Sequence, residues 1–184
     1  MILPIHIYNS KILKTKTKEI DKNFKALSEL IKNMFETMYS ANGVGLAAPQ
    51  VGLPIRLFII DSYQLKNNIP KIIGIKQAFI NPLIVNYSEE ENIDTESCLS
   101  LPNLKLTIKR KNWITINYFD ENFNFKKETF YDYEARIIQH EYDHLEGILI
   151  IDKINPIEKK LINLKLNYIA RGKIKPNYKY IIKK

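Results

Sequence analysis

The sequence has only one cysteine, Cys98, among its 184 residues. A single cysteine cannot form an internal disulfide, which excludes a secreted fold built on cross-links and is typical of proteins in reducing compartments. The chain also lacks an apolar run of about 18 residues, so we expect no transmembrane helix. Its N-terminus lacks the basic start and long apolar stretch of a signal peptide. These absences predict a cytoplasmic protein with no membrane partner.

Apolar residues are abundant enough for one folded domain. They make up 45% of the sequence, and a chain of 184 residues can enclose a substantial core, so we expect a single domain over 1–184. The net charge of +8 is compatible with a nucleic-acid partner. However, the lysines are spread along the chain, which favours a solvated surface. The one dense basic stretch, KIKPNYKYIIKK, ends the sequence.

Two segments have the apolar spacing of amphipathic helices. The first covers about 21–39, with Asp21 as the candidate cap, and the turn-forming sequence ANGVG ends it. The second covers about 133–146, between the candidate cap Asp132 and the helix-ending Gly147.

A third helix is predicted over about 156–172. Asn155 is its candidate cap, and Gly172 stands where a C-terminal glycine is expected. If this helix covers the core, its apolar residues should be buried, namely Leu161, Leu164 and Ile169.

Several segments have the composition and alternation of strands. The segment 55–61 is rich in branched residues and predicts one strand, and 71–88 predicts one or two strands around its Asn-Pro pair. A further strand is predicted at 104–110, and 113–119 with 123–130 is predicted to form a β-hairpin. Because strands and helices do not alternate regularly, we predict an α+β fold. Mostly antiparallel strands should pack around the second helix, with one helix near each end of the chain.

The sequence QHEYDH predicts that the second helix binds a metal ion. His140 and His144 are four residues apart, so on a helix they lie on one face and can bind the same ion. Glu141 can then reach a water on that ion, as in the His-Glu-x-x-His motif. Because the motif uses two of only three histidines, we favour a metal site over a solvated polar face.

A two-histidine site needs a third protein ligand. One protease pattern places a histidine six residues after His144, but Ile150 occupies that position. The thiolate of Cys98 is a strong ligand for Zn²⁺ or Fe²⁺ and would leave one position open for water. Three other candidates are less suitable for reasons of helix geometry, capping or context, namely Glu146, Glu158 and His6.

The motifs GVGLAAPQ at 43–50, ESCLS at 96–100 and QHEYDH at 139–144 occur in this order along the chain. Their order and spacing resemble those of the peptide deformylase family, and the sequence FINP at 79–82 adds to the resemblance. The family motif has glycine where this chain has Ser97. If that position requires a positive φ, a serine there costs about 1 kcal/mol.

The resemblance implies a metal-dependent hydrolase. It would remove the N-formyl group from the N-terminal formyl-methionine of newly synthesised proteins and release formate. The implied cofactor is one divalent ion, Fe²⁺ by family default or Zn²⁺, and the implied ligands are Cys98, His140 and His144. Glu141 would transfer the proton, while Gln50 and the backbone N–H of Leu99 would stabilise the oxyanion.

The resemblance also implies a substrate pocket and a support for the metal ligands. The implied pocket residues are Val44, Gly45, Tyr133 and Ile137. Glu96 and Arg110 could pair beside the metal loop, and Asp143 could orient a ligand histidine. For each of these charged residues, a solvated surface position is the alternative.

Two further questions stay open from the sequence. The basic region from about 156 either contacts ribosomal RNA through its phosphates or simply covers the core, and we expect a monomer in both cases. Two other functions also fit parts of the sequence. One is a metallopeptidase that cleaves internal peptide bonds. The other is a basic RNA-binding or ribosome-binding module with a structural zinc, which would need a fourth protein ligand.

Overall fold

The computed structural model describes residues 1–66, 69 and 72–182. The described strands are β1 (Ile5–His6), β2 (Gly45–Ala47), β3 (Leu57–Asp61), β4 (Lys76–Tyr87), β5 (Glu91–Cys98), β6 (Leu101–Lys111), β7 (Trp113–Phe119), β8 (Phe125–Tyr131) and β9 (Tyr180–Ile181). The described α-helices are α1 (Leu27–Ser40), α2 (Asp132–Leu145), α3 (Pro156–Leu161) and α4 (Asn163–Ala170). These elements confirm the α+β class.

The largest sheet is antiparallel throughout and has the strand order β2-β3-β4-β7-β8. The predicted hairpin is its β7–β8 edge. The Asn-Pro pair lies inside one continuous strand, β4, where the register shifts after Ile80 and Asn81 has a φ of 50°. This irregularity lets Pro82 occupy a strand without breaking it. Residues of α2 pack against the buried face of the sheet.

Two smaller sheets complete the fold. β5 and β6 form a hairpin of their own, and β1 pairs in parallel with β9, so the two ends of the described chain lie side by side. β5 was not predicted from the sequence, because most of its residues are polar and exposed and give no alternation of apolar residues. Within the described ranges, no helix is both long enough and apolar enough to cross a membrane.

The first helix begins later than the sequence predicts. α1 starts at Leu27, since Ala26 before it has a left-handed conformation with a φ of 57°. Asp21 does not cap this helix. Instead, its carboxylate accepts the N–H of Asn23 and its carbonyl accepts the N–H of Phe24, which forms a separate turn. The helix ends within a residue of the predicted position.

The second helix matches its prediction closely, although its cap differs. Asp132 is the first helical residue and Tyr131 precedes it as the cap, with no side chain accepting a hydrogen bond from the first turn. The helix is followed by Gly147 with a φ of 72°, as expected for a C-terminal glycine.

The third predicted helix is divided into two, and part of its predicted burial is wrong. Asn155 caps α3 by accepting the N–H of Glu158, as predicted. The helix is interrupted at Ile162, and α3 buries none of its residues. Leu161 and Leu164 are 79% and 63% exposed, whereas Ile169 is fully buried. The interruption turns the apolar side chains of the first part away from the core.

Candidate active site

Helix α2 carries an unusual number of polar side chains into the interior. Six of them are at most 9% exposed, namely Glu134, Arg136, Gln139, His140, Glu141 and His144. Buried polar groups are costly unless they are paired or bind something. The contacts of these residues therefore indicate which of them stabilise the fold and which face a ligand.

The structure brings three metal-binding side chains together. The ligand atoms of Cys98, His140 and His144 all lie within 4.8 Å of one another. The Cys98 Sγ, at the end of β5, is 3.3 Å from His144 Nε2. His140 Nδ1 is hydrogen-bonded to Glu96 at 2.9 Å, which leaves its Nε2 for the cluster. One thiolate and two imidazoles suit Zn²⁺ or Fe²⁺.

Unpartnered buried atoms support this assignment. In the part of the chain that the structure describes, His144 Nδ1 and Glu141 Oε2 are buried without a hydrogen-bond partner. Burial lowers the pKa of His144 well below its usual range, so its ring is neutral, as a metal ligand requires. The cluster found among the described residues has three protein ligands, whereas a structural zinc needs four.

The other candidates for a third ligand have different partners. Glu146 forms ion pairs with Arg56 at 2.6 Å and with Lys16 at 3.1 Å. His6 Nδ1 lies 2.8 Å from the hydroxyl of Ser10, outside the cluster. Glu158 is at the start of α3, on the surface.

Glu141 lies against the backbone of β2. A Cβ atom at Gly45 would be only 2.4 Å from Glu141 Oε1, so this carboxylate requires a glycine beside it. Burial raises the pKa of the Glu141 carboxyl to about 7. A carboxyl with a pKa near neutrality can both accept and return a proton during a reaction.

Gln50 is fixed beside the metal cluster by a short 3₁₀ helix, Ala48–Val51. Its Oε1 accepts the N–H of Ala47 at 2.8 Å, which directs its Nε2 the other way. That Nε2 donates to Ser100 Oγ at 3.2 Å and lies 3.8 Å from Cys98 Sγ. The amide of Gln50 therefore faces the turn at 98–100, which also contains the backbone N–H of Leu99.

A buried charge network supports His140. The guanidinium of Arg110 donates two hydrogen bonds to Glu96, each 2.9 Å long, and Arg136 donates a third at 2.7 Å. Burial alone would raise the pKa of Glu96, but the hydrogen bonds from Arg110 and His140 outweigh it and hold that pKa well below its usual range. Glu96 and Arg110 thus form the predicted contact.

Arg136 is the member of this network that the sequence analysis missed. It stands four residues before His140, so the helical spacing that identifies the two histidines also places it on their face. Asp143 has a different partner from the predicted one. It pairs with Arg110 at 2.5 Å and with Lys153 at 3.1 Å, and it supports the ligands only through Arg110.

Ser97 fits its position without strain. Its φ is not positive, and it pairs with Lys105 in the β5–β6 hairpin. The expected cost of replacing the family glycine therefore does not arise. The serine side chain is exposed and lines the cavity described next.

The cluster opens into a cavity of about 1090 Å³. Its inner wall near Glu141 includes the four predicted pocket residues, namely Val44, Gly45, Tyr133 and Ile137. Three of these side chains pack together in one apolar cluster with the sheet. Its wall also includes three lysines and a tyrosine that the sequence did not connect with the site, namely Lys105, Lys165, Lys175 and Tyr178.

Three protein ligands, a buried carboxylate beside them and an adjoining apolar pocket define a metal-dependent hydrolase. The sequence model of the polypeptide deformylase family matches residues 2–160. The chain belongs to this family, and it is an enzyme that removes the N-formyl group from newly synthesised proteins. This assignment confirms the predicted function and favours it over an internal peptidase or a binding module.

Known proteins similar to this chain are peptide deformylases. The enzyme of Christiangramia forsetii is 48% identical, over 97% of this chain and 95% of its own length. That of Flavobacterium psychrophilum is 47% identical, over 97% of this chain and 96% of its own length. The crystal structure of a peptide deformylase from Legionella pneumophila has a TM-score of 0.81 and 32% identity, and the match covers 94% of this chain and 98% of that one.

Proposed function

We propose that this deformylase holds one divalent ion through Cys98, His140 and His144 and that Glu141 transfers the proton in the reaction. The observation that carries this proposal is the convergence of the three ligand atoms within 4.8 Å, with the Glu141 side chain against Gly45 in the wall of the same cavity. When bound, such an ion supplies Lewis-acid chemistry, lowering the pKa of water and polarising a carbonyl oxygen. Both Fe²⁺ and Zn²⁺ suit this ligand set. We propose Fe²⁺ first, because it is the family default, and Zn²⁺ as the alternative.

Glu141 acts first as a base and then as an acid. Its carboxylate takes a proton from the attacking water, whose oxygen bonds to the formyl carbon. The same carboxyl then returns the proton to the leaving nitrogen, so that formate and a free amine result. A thiolate ligand would donate charge to a bound ion and weaken its effect on water, which makes a nearby base such as Glu141 more important. The raised pKa of Glu141, about 7, supports both roles.

Two donors stabilise the oxyanion that develops on the formyl oxygen. We assign them to the Nε2 of Gln50, 3.8 Å from Cys98 Sγ, and to the backbone N–H of Leu99, the next residue along the chain. The fixed orientation of Gln50 supports this assignment, because its other amide atom is held by Ala47. A preorganised donor of this kind contributes about 3 kcal/mol to catalysis.

The methionine side chain of the substrate fits the apolar part of the cavity. Val44, Tyr133 and Ile137 line it, and Ile137 is one helical turn before Glu141. This spacing supports a pocket beside the reacting carbon. Gly45 is proposed to hydrogen-bond the substrate backbone, since no side chain at this position blocks the approach.

The remaining proposals concern the whole protein. The cavity is lined by residues from Ala41 to Tyr178, which supports one catalytic domain over 1–184. We propose that this domain works as a monomer. Its substrates are newly made chains, which implies a cytoplasmic enzyme. Four exposed apolar side chains on α3 and α4 support a contact of this basic region with the ribosome, namely Ile157, Leu161, Leu164 and Tyr168.

Formate release from formyl-Met-Ala tests the assignment, with bound metal analysed in the same anaerobic sample. The wild type should carry about one Fe²⁺ or Zn²⁺ per chain. Cys98→Ala should lose both the ion and the activity. Glu141→Ala should keep the ion and lose roughly 10²–10⁴ of kcat, the usual contribution of a general base.

Glu146→Gln is the matched control, since it changes another acidic residue of the same region that lies outside the cavity. It should release formate at the wild-type rate. Rapid formate release by Glu141→Ala would overturn the role of Glu141. Full metal content in Cys98→Ala would overturn the ligand set.

A further inference from the structure

The C-terminal segment 173–182 returns to the active site after α4. It is fastened by the parallel pair β1–β9, in which the N–H of Ile5 donates to the carbonyl of Lys179 at 2.9 Å and the N–H of Ile7 donates to Ile181 at 3.2 Å. This pairing places Tyr178 two residues before a fixed strand. The segment lies outside the range that the family model matches, which ends at residue 160.

Tyr178 reaches from this segment to the turn that contains a metal ligand. Its hydroxyl donates to the carbonyl of Leu99 at 2.5 Å, and its ring packs on the core cluster of α1 and β2. The ring also lines the cavity. Burial, reinforced by the nearby charge of Cys98, raises the pKa of the Tyr178 hydroxyl, so this group stays a donor at neutral pH.

The turn at 98–100 is held on several sides. The carbonyl of Ser100 accepts the N–H of Tyr8 at 2.8 Å, and its hydroxyl accepts Gln50 Nε2. Cys98 is fixed at one end of the turn as a ligand. Between these points, the hydrogen bond from Tyr178 is the contact that restrains the Leu99 carbonyl.

We propose that Tyr178 is a positioning residue for the reaction. By holding the carbonyl of Leu99, it restrains the backbone of that residue, so that the N–H of Leu99 points at the developing oxyanion. This inference rests on the proposed role of the Leu99 N–H. A donor contributes fully to catalysis only when it is already aligned with the charge that develops. Restraining the carbonyl of a residue limits rotation about its backbone, and so limits the swing of its N–H.

Tyr178→Phe tests the proposal, because it keeps the ring and removes only the hydroxyl. With formyl-Met-Ala, kcat should fall about tenfold, less than the 10²–10³ expected for complete loss of a donor. The KM should change less than twofold, and the metal content should stay that of the wild type. Tyr180→Phe is the matched control. It makes the same change two residues later, on a ring that packs in a different core cluster, and should leave kcat unchanged.

Two outcomes would overturn the positioning role. One is a kcat of Tyr178→Phe within twofold of the wild type. The other is evidence of a merely structural contact, which would be either a loss of metal or a rise in KM that accounts for the lower rate. Both leave Glu141 and the metal ligands untouched, since these are tested by their own variants.

Hydrogen exchange gives a readout in the wild type itself and does not depend on any variant folding. We expect slow deuterium uptake in a fragment covering 97–101, compared with 120–124, the tip of the β7–β8 hairpin. In Tyr178→Phe, uptake at 97–101 should increase while that at 120–124 stays constant. Equal uptake by the two segments in the wild type would contradict the proposal.

Discussion

Helix α2 and the helices α3 and α4 depart from the usual distribution of side chains in opposite directions. α2 buries charged and polar residues, including Glu141 and His144, in the centre of the molecule. α3 and α4 expose apolar residues, with Leu161 at 79% and Leu164 at 63%. An ordinary amphipathic helix has its polar face outside and its apolar face inside.

The comparison teaches that each exception indicates a function of its own. Some buried polar groups of α2 are paired within the fold, such as Glu134 with the N–H of Gly74, whereas His140, Glu141 and His144 gather at the proposed metal site. Exposed apolar residues in α3 and α4 have no such internal partner among the described residues, and they form the surface that we propose contacts the ribosome. Three of the following variants test this contrast and a fourth, Ser97→Gly, tests the turn beside it; they follow from the largest expected effect to the smallest.

Glu96→Gln should have the largest effect, because it removes the negative charge that Arg110, Arg136 and His140 share. Leaving buried charges unpaired costs about 3–5 kcal/mol of unfolding free energy. Loss of the contact to His140 should also weaken metal binding by about 10–100-fold. Urea unfolding and metal titration measure the two effects. Glu91→Gln, on the same strand but exposed, is the control and should leave both values unchanged. Equal behaviour of the two variants would contradict the network.

Ile169→Ala should show that α4 has a buried face of its own. This side chain is fully buried, and shortening it leaves a cavity that costs about 2–5 kcal/mol. Thermal and urea unfolding measure the loss. A change below about 0.5 kcal/mol, the range of ordinary surface substitutions, would show that α4 is not packed on the core.

Ser97→Gly should have a small effect, although it restores the glycine of the family motif. Since Ser97 has no positive φ, glycine relieves no strain there. In a strand it should instead lower the unfolding free energy by about 0.5–1 kcal/mol. The value of kcat/KM for formyl-Met-Ala should stay within twofold of the wild type. A clear rise in stability would show that the serine is strained.

The double variant Leu161→Gln/Leu164→Gln should change the isolated enzyme least. Both side chains are exposed and glutamine suits a helix, so the unfolding free energy should shift by less than about 0.5 kcal/mol. Formate release should be unaffected. Cosedimentation with ribosomes should decrease if these residues form a contact, and unchanged cosedimentation would count against the proposed surface.

The metal ligands could be predicted because the sequence offers few alternatives. One cysteine and a pair of histidines at helical spacing restrict the choice, and the structure brings all three together. Arg136 could have been found by the same spacing. For Glu96 and Arg110 the sequence allowed two interpretations, a contact beside the metal loop or two surface charges. It could not decide between them, because a charged residue on a strand can be either buried or exposed.

Features that depend on distant parts of the chain could not be predicted. β5 has no apolar alternation, and its strand conformation results from pairing with β6. The apolar spacing of 156–172 identified helices but not what covers each face, so the burial of Leu161 and Leu164 was wrong. The contact of Tyr178 with Leu99 depends on the pairing of β1 with β9, which no local pattern indicates.

That pairing of the two chain ends has a consequence for the order of folding. Ile5 and Tyr180 are 175 residues apart, so closing this contact has the highest loop entropy cost of the strand pairings that the structure describes. During translation the last strand is still inside the ribosome when the hairpins and α2 can already form. We therefore expect the active-site turn to be secured last, and a newly made enzyme to gain its full activity only after β9 has emerged and paired with β1.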